Sequence, residues 1–140
     1  MNTLNISTYT DSGSTARFRK ITGHYANNYF VWNNANDHML NLTANGIIYN
    51  AALFVKVKLL LNDTHLVSFQ QIINVNMANQ EINYSETESF AQSDQFQVDR
   101  CCLRLVCTII DSENISISLD SLPATVQGWI WIDTIETPIL

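Results

Sequence analysis

Between Asp99 and Ile135 the chain passes through three strand-like segments with no helical period among them. Cys101 to Ile110 is an apolar run interrupted only by Arg104 and Thr108. The polar turn Asp111 to Asn114 follows, and then Ile115-Ser116-Ile117-Ser118-Leu119 alternates apolar and hydroxyl side chains. After a short break, Gly128-Trp129-Ile130-Trp131-Ile132-Asp133 alternates again. β-Branched and aromatic residues recurring at period two between Asp, Ser and Asn breaks predict strands. Consecutive strands joined by short polar connections predict an all-β, antiparallel β-sandwich. The run holds no catalytic grouping, so it specifies architecture rather than chemistry.

The rest of the chain extends this pattern. In Gly46 to Leu61, Val55, Val57 and Leu59 fall on one face of a strand and Lys56 and Lys58 on the other. Ala51, Ala52 and Leu53 suit a helix, but the Val-Lys-Val-Lys alternation favours a half-wet strand. Phe18 to Thr22 predicts a first strand. Asn27-Asn28 predicts a turn inside the aromatic segment His24 to Trp32, and Asn62-Asp63 a turn before His65 to Val75. Ala78 to Gln95 reads as one long acidic interruption, with a short strand at Ile82 to Ser85. A connection of that length inside a domain is usually functional or mobile. Counting gives about eight strands, which is the sandwich and jelly-roll regime. Residues 1–16 form a polar lead-in or edge segment, and 17–140 a single β-sandwich domain.

Composition restricts partners. The chain has 140 residues, 14% of them charged, with net charge -6 and only seven Lys plus Arg. Nucleic-acid binding requires clustered cations to neutralise phosphates, so that class is disfavoured. The apolar runs Ile47 to Leu61 and Cys101 to Ile110 are too short or too interrupted for a membrane helix, and no membrane insertion is expected. Met1 is followed by a polar segment rather than a signal peptide. Cys101 and Cys102 point to opposite faces of one strand, and Cys107 is too far along it to bridge either, so free buried thiols and a reducing cytoplasm are expected.

No enzyme motif stands out. His24, His38 and His65 lack metal-ligand spacing, and no metal or cofactor is expected. There is no nucleophile elbow and no glycine-rich phosphate loop. Glu86 and Glu88 are the obvious carboxylate pair, but on a polar loop solvated acids are the simpler reading. With Asp94 they also lack a calcium-loop pattern. The protein is expected not to be an enzyme. The candidate ligand-binding residues are Tyr25, Tyr29 and Trp32, beside an Asn-rich loop where aromatics can stack on sugar rings, with Tyr84, Glu86 and Glu88 on the long interruption. Trp129 and Trp131 project from one side of their strand, into either the core or an oligomer interface. Leu103 and Leu105 are assigned with them to core or interface, and Arg104, facing the other way, to a solvated sheet face.

Taken in order, residues 40–135 resemble the C1q/tumour-necrosis-factor type of jelly roll. The likeness rests on Asn45-Gly46-Ile47-Ile48-Tyr49 running into Leu53-Phe54-Val55-Lys56-Val57, then the strand–turn–strand from Cys102 to Leu119, and finally Val126-Gln127-Gly128-Trp129-Ile130-Trp131-Ile132. Gly46 and Gly128 match as turn and close-approach positions. The resemblance implies a compact homotrimer of the kind that forms spike, fibre or tail-needle knobs on viruses and phages. Such a knob would sit on the virion surface and serve host attachment or particle assembly, with a host-surface protein or glycan and other virion proteins as partners. A stand-alone carbohydrate-binding lectin-like module and a capsid or minor structural jelly-roll protein are the alternatives.

Overall fold

The computed structural model describes residues 6–11, 14–92, 103–120 and 125–139. Its strands are β1 (Ile6–Asp11), β2 (Ser14–Ala26), β3 (Tyr29–Trp32), β4 (Leu40–Asn41), β5 (Thr43–Ala44), β6 (Ile47–Leu61), β7 (His65–Asn76), β8 (Glu81–Tyr84), β9 (Glu88–Gln92), β10 (Leu105–Ile109), β11 (Asn114–Leu119) and β12 (Val126–Pro138). No described residue is helical. The larger sheet runs β1-β2-β12-β6-β7-β8, with β3 also on β2, β5 on β6 and β9 on β7; the smaller runs β10-β11-β4. Every pairing is antiparallel.

Burial follows the period-two pattern. Along β6, Tyr49, Ala51, Leu53, Val55, Val57, Leu59 and Leu61 are buried, while Phe54, Lys56 and Lys58 face outward. The inner row of β7 is Val67, Phe69, Gln71, Ile73 and Val75, and that of β12 ends Ile130, Ile132, Thr134, Glu136. One apolar cluster joins these rows to Leu40, Leu105, Cys107, Ile115 and Ile117 of the smaller sheet, making a two-layer sandwich.

Asn supplies the turns. Asn27 and Asn28 have φ of 53° and 75°, and Asn45 and Gly46 have φ of 53° and 79°. Two successive left-handed residues make the tight turn whose twist matches a hairpin. Gly128 has a different role, since a Cβ there would lie 3.0 Å from both Leu59 Cδ2 and Tyr25 Cβ. Gly23 is tighter still, with Val31 O 2.5 Å from the Cβ position. The turn Asp111 to Asn114 closes on its own carboxylate: Asp111 Oδ1 accepts from the amides of Glu113 (2.8 Å) and Asn114 (2.9 Å). Those bonds hold the Asp111 carboxyl below the usual range.

Three expectations change. The boundary between residues 16 and 17 falls inside β2, while Ile6–Asp11 of the expected lead-in or edge segment pairs along β2 as the edge strand β1. The interruption from Ala78 is not an open loop. After a turn it folds into β8 and β9, which pair in succession along the same strand, β7. Its residues 93–95 lie outside the described residues, as do Cys101 and Cys102. With these short strands the described count exceeds eight. The order β12-β6-β7-β8 is that of a Greek key: three hairpin-linked strands, and a later one returning beside the first.

Candidate functional site

The predicted aromatic platform divides between core and surface. Trp32 is 1% exposed, and its indole N–H donates to His38 O at 3.1 Å. It is a core residue, its indole packed in the main apolar cluster and only its N–H reaching the end of the Asn-rich loop at His38. Tyr25 is half-buried and meets Phe30 edge-on at 5.2 Å between ring centroids. Burial raises its phenol pKa. Tyr29 is exposed, 4.6 Å from the His38 ring. These three side chains do not form a common sugar-stacking surface. Leu103 and Leu105, each 1% exposed, are core residues of the same chain and cannot contact a second copy. Arg104 is solvated and sits 3.4 Å from Asp120.

Trp129 and Trp131 point away from the core. The inner positions of β12 go to Gly128, Ile130 and Ile132, so both indoles lie on the outer face of the larger sheet, 45% and 42% exposed. Register places Lys58 opposite Trp129 and Lys56 opposite Trp131 on β6, with His24 and Thr22 opposite the same indoles on β2. In the next row Lys20 faces Asp133, which faces Phe54, which faces Ile72. Lys20 Nζ stands 5.5 Å from the centre of the Trp131 ring and Lys58 Nζ 5.9 Å from that of Trp129, a geometry worth about 0.5–1 kcal/mol when exposed. Leu66 and Ile135 extend the apolar area along this face. Lys20, Lys56 and Lys58 are all the lysines in the chain. An acidic protein thus gathers its lysine ammonium groups around two indoles on one sheet face.

A second feature lies at the edge of the sandwich. A cavity of about 440 Å³ is lined by Gln71, Tyr84, Ser85, Glu86, Thr87 and the segment Leu103 to Val106. It opens where the edge breaks between β8 and β9. Ser85 bridges that break: its N–H donates to Ile72 O (2.9 Å) and its hydroxyl accepts from Ile72 N (2.8 Å). Tyr84 Oη accepts from Cys107 N at 2.9 Å, which fixes the ring against the smaller sheet. Glu86 is an exposed lining residue, while Glu88 lies apart on β9 opposite Gln70. The cavity therefore brings together Tyr84 and Glu86 of the six predicted ligand residues.

Sequence reasoning passed over Gln71. It is 6% exposed and interrupts an otherwise apolar inner row. Its Nε2 donates to Ser85 O at 2.8 Å, but its Oε1 is buried without a hydrogen-bond partner. Leaving a buried acceptor unsatisfied costs about 1–3 kcal/mol. The legible signal was the single amide at a position the alternation assigns to the core.

A buried ionic cluster ties β2 to β12. Glu136, 0% exposed, receives Arg17 Nη2 at 2.5 Å, Arg19 Nε at 2.6 Å and the Thr134 hydroxyl at 2.7 Å. Arg17 also donates to Thr43 O at 3.2 Å and lies 4.5 Å over the Tyr49 ring. Burial alone would push the Glu136 carboxyl up, but hydrogen bonds and charge from Arg19, then bonds from Arg17 and Thr134, hold it below the usual carboxylate range. With every Glu136 oxygen engaged, the cluster is a structural clamp.

Among the described residues no group of three His, Cys, Asp or Glu is placed to hold a metal ion. Cys107 is buried, and burial pushes its thiol up to about 12. Because the thiolate is the reactive form, a maleimide at about pH 8 should leave Cys107 unmodified in the folded protein and label it in denaturant, as read by site-resolved mass spectrometry. No protein-family model, no curated protein and no solved structure matches the chain.

Proposed function

We propose that the protein is a non-enzymatic, homotrimeric knob of spike, fibre or tail-needle type, displayed on a virion and used for host attachment or particle assembly. The observation that carries this reading is the outer face of the larger sheet, with its two exposed indoles and all three lysines. Contiguous exposed apolar surface marks interaction sites, and aromatics are enriched in interfaces. The occupant favoured by charge is a second copy of the chain. A net charge of -6 that includes three lysines leaves -6 - 3 = -9 on everything else. The lysine face of one copy thus complements the acidic remainder of another. A contact between two different patches closes into a ring when the rotation permits, and a threefold ring is the expected closure.

The Greek-key order supports the finer reading of the sandwich as a jelly roll, an architecture built from two such keys. Presentation in threes lets individually weak contacts with a host-surface protein or glycan suffice.

The test is size exclusion coupled to light scattering. The expected mass is about three times 15.9 kDa, falling to the monomer value when Trp129 and Trp131 are both replaced by serine. Because the variant loses two lysine–indole contacts and two partly covered rings, its stability as a monomer should fall by about 1–3 kcal/mol, short of unfolding it. A wild-type chain that is monomeric at high concentration would sink the trimer reading.

A further inference from the structure

We infer that the lysine–indole half of the larger sheet's outer face docks on a carboxylate border, formed by Glu81, Glu86 and Glu88, of a second copy of the chain. The two halves meet only when copies associate, so this contact rests on the self-association proposed above but not on its threefold order.

The outer face is bipolar. Lys20, Lys56 and Lys58 stand on it over β2 and β6, around the indoles of β12. Register carries the same face across β7 to the edge of the sheet. Trp131, Lys56, Gln70 and Glu88 lie in one row, and partners in a row share a face. Glu81 on β8, opposite the outward Asn76, stands on that face as well. Glu86 lies in the connection between β8 and β9, and all three carboxylate residues are exposed. Between the two halves, the outward positions of β7 from Leu66 to Asn76 carry no charge.

Within one chain the halves stay apart. β6 and β9 are two strand spacings from each other, about 9.6 Å. Among the described residues, no lysine and none of Glu81, Glu86 and Glu88 is in an ion pair. Other carboxylates are used inside the chain: Glu136 in the clamp, Asp120 beside Arg104 and Asp111 in its own turn. A second copy supplies what each half lacks. Its carboxylate border meets the ammonium groups, while Phe54, Leu66 and Ile72, all exposed on this face, provide apolar area to bury with the indoles. A free polyanion fits less well, because three cations would hold it while the carboxylates of the same face repel it. Opposite charges on one surface also select the register of the contact, since like charges brought together are costly.

The test is charge exchange in the full chain, read by light scattering after size exclusion. Lys56→Glu with Lys58→Glu, and separately Glu81→Lys with Glu88→Lys, change only exposed side chains. Each pair should fold, as checked by circular dichroism, and should fall to the monomer mass of 15.9 kDa. All four changes in one chain restore opposite charges across the contact, and that variant should recover the wild-type mass. A measurement on the wild type needs no variant. A carbodiimide condenses a carboxylate with an amine to an amide and takes up the water released. It should join Lys56 or Lys58 to Glu81 or Glu88, and mixing heavy-isotope with light chains should show the link to be between copies. The contact is overturned if either pair variant keeps the wild-type mass, if the folded four-change variant stays monomeric, or if no such link forms. A trimer that ignores charge exchange would refute this contact and leave the knob reading standing. A dimer that obeys it would refute the threefold closure alone, and a monomeric wild type would refute both.

Discussion

Replacing Glu136 by glutamine should lower the stability of the chain by about 3–5 kcal/mol, the usual cost of removing one member of a buried ion pair. The variant keeps the shape of the carboxylate but leaves the Arg17 and Arg19 guanidiniums facing a neutral amide. Arg17 is itself 6% exposed, so water cannot take over. For a chain of this length the loss corresponds to a fall in Tm of about 10–20 °C, readable by calorimetry. The same residue gives a pH dependence. The Glu136 carboxyl titrates lower folded than unfolded, so its contribution is complete above the ordinary value of 4.5 and fades as pH falls through the lowered folded value. Wild type should lose stability over that acid range, and Glu136→Gln should show a shallower acid limb. A Tm within experimental error of wild type would show that the cluster is not a clamp.

Trp32→Ala should be about as severe, at about 3–5 kcal/mol for a fully buried large aromatic. The indole fills space between β3 and the smaller sheet, and its N–H satisfies His38 O. Denaturant titration would measure the loss as an earlier midpoint. The comparison with Trp131 is informative, because Trp131→Ala removes a residue 42% exposed and should move the midpoint much less than Trp32→Ala. Similar losses for the two would contradict the inner and outer assignments of the tryptophans.

Those tryptophans show where sequence reading worked and where it stopped. In β6 the outward set is partly lysine, so alternation also gives the phase, and the buried row is legible directly. In β12 both sets are apolar: Ile130 and Ile132 alternate with Trp129 and Trp131, and period two does not say which set turns inward. The phase is fixed by a three-dimensional contact, the approach of Gly128 to Leu59 and Tyr25, which no local window contains. The Asn27-Asn28 turn was legible because it depends only on the conformational freedom of those residues. β8 and β9 were read mainly as a loop because they are short and mostly exposed, so they carry no buried stripe. The cavity draws on residues 71, 84–87 and 103–106. Its only linear trace was a glutamine out of pattern.

The position of β12 has a consequence for how the chain reaches its fold. It comes after every other described strand in the sequence, yet it lies between β2 and β6 and pairs with both along most of its length. Until residues 126–138 have been synthesised, β2 and β6 have no common partner, and each presents an unpaired edge of the kind that recruits other chains. The closing contact joins Glu136 to Arg17 across 119 residues of sequence, and such long-range closure makes folding slow. The vulnerable interval is therefore the time between completing β6 and inserting β12.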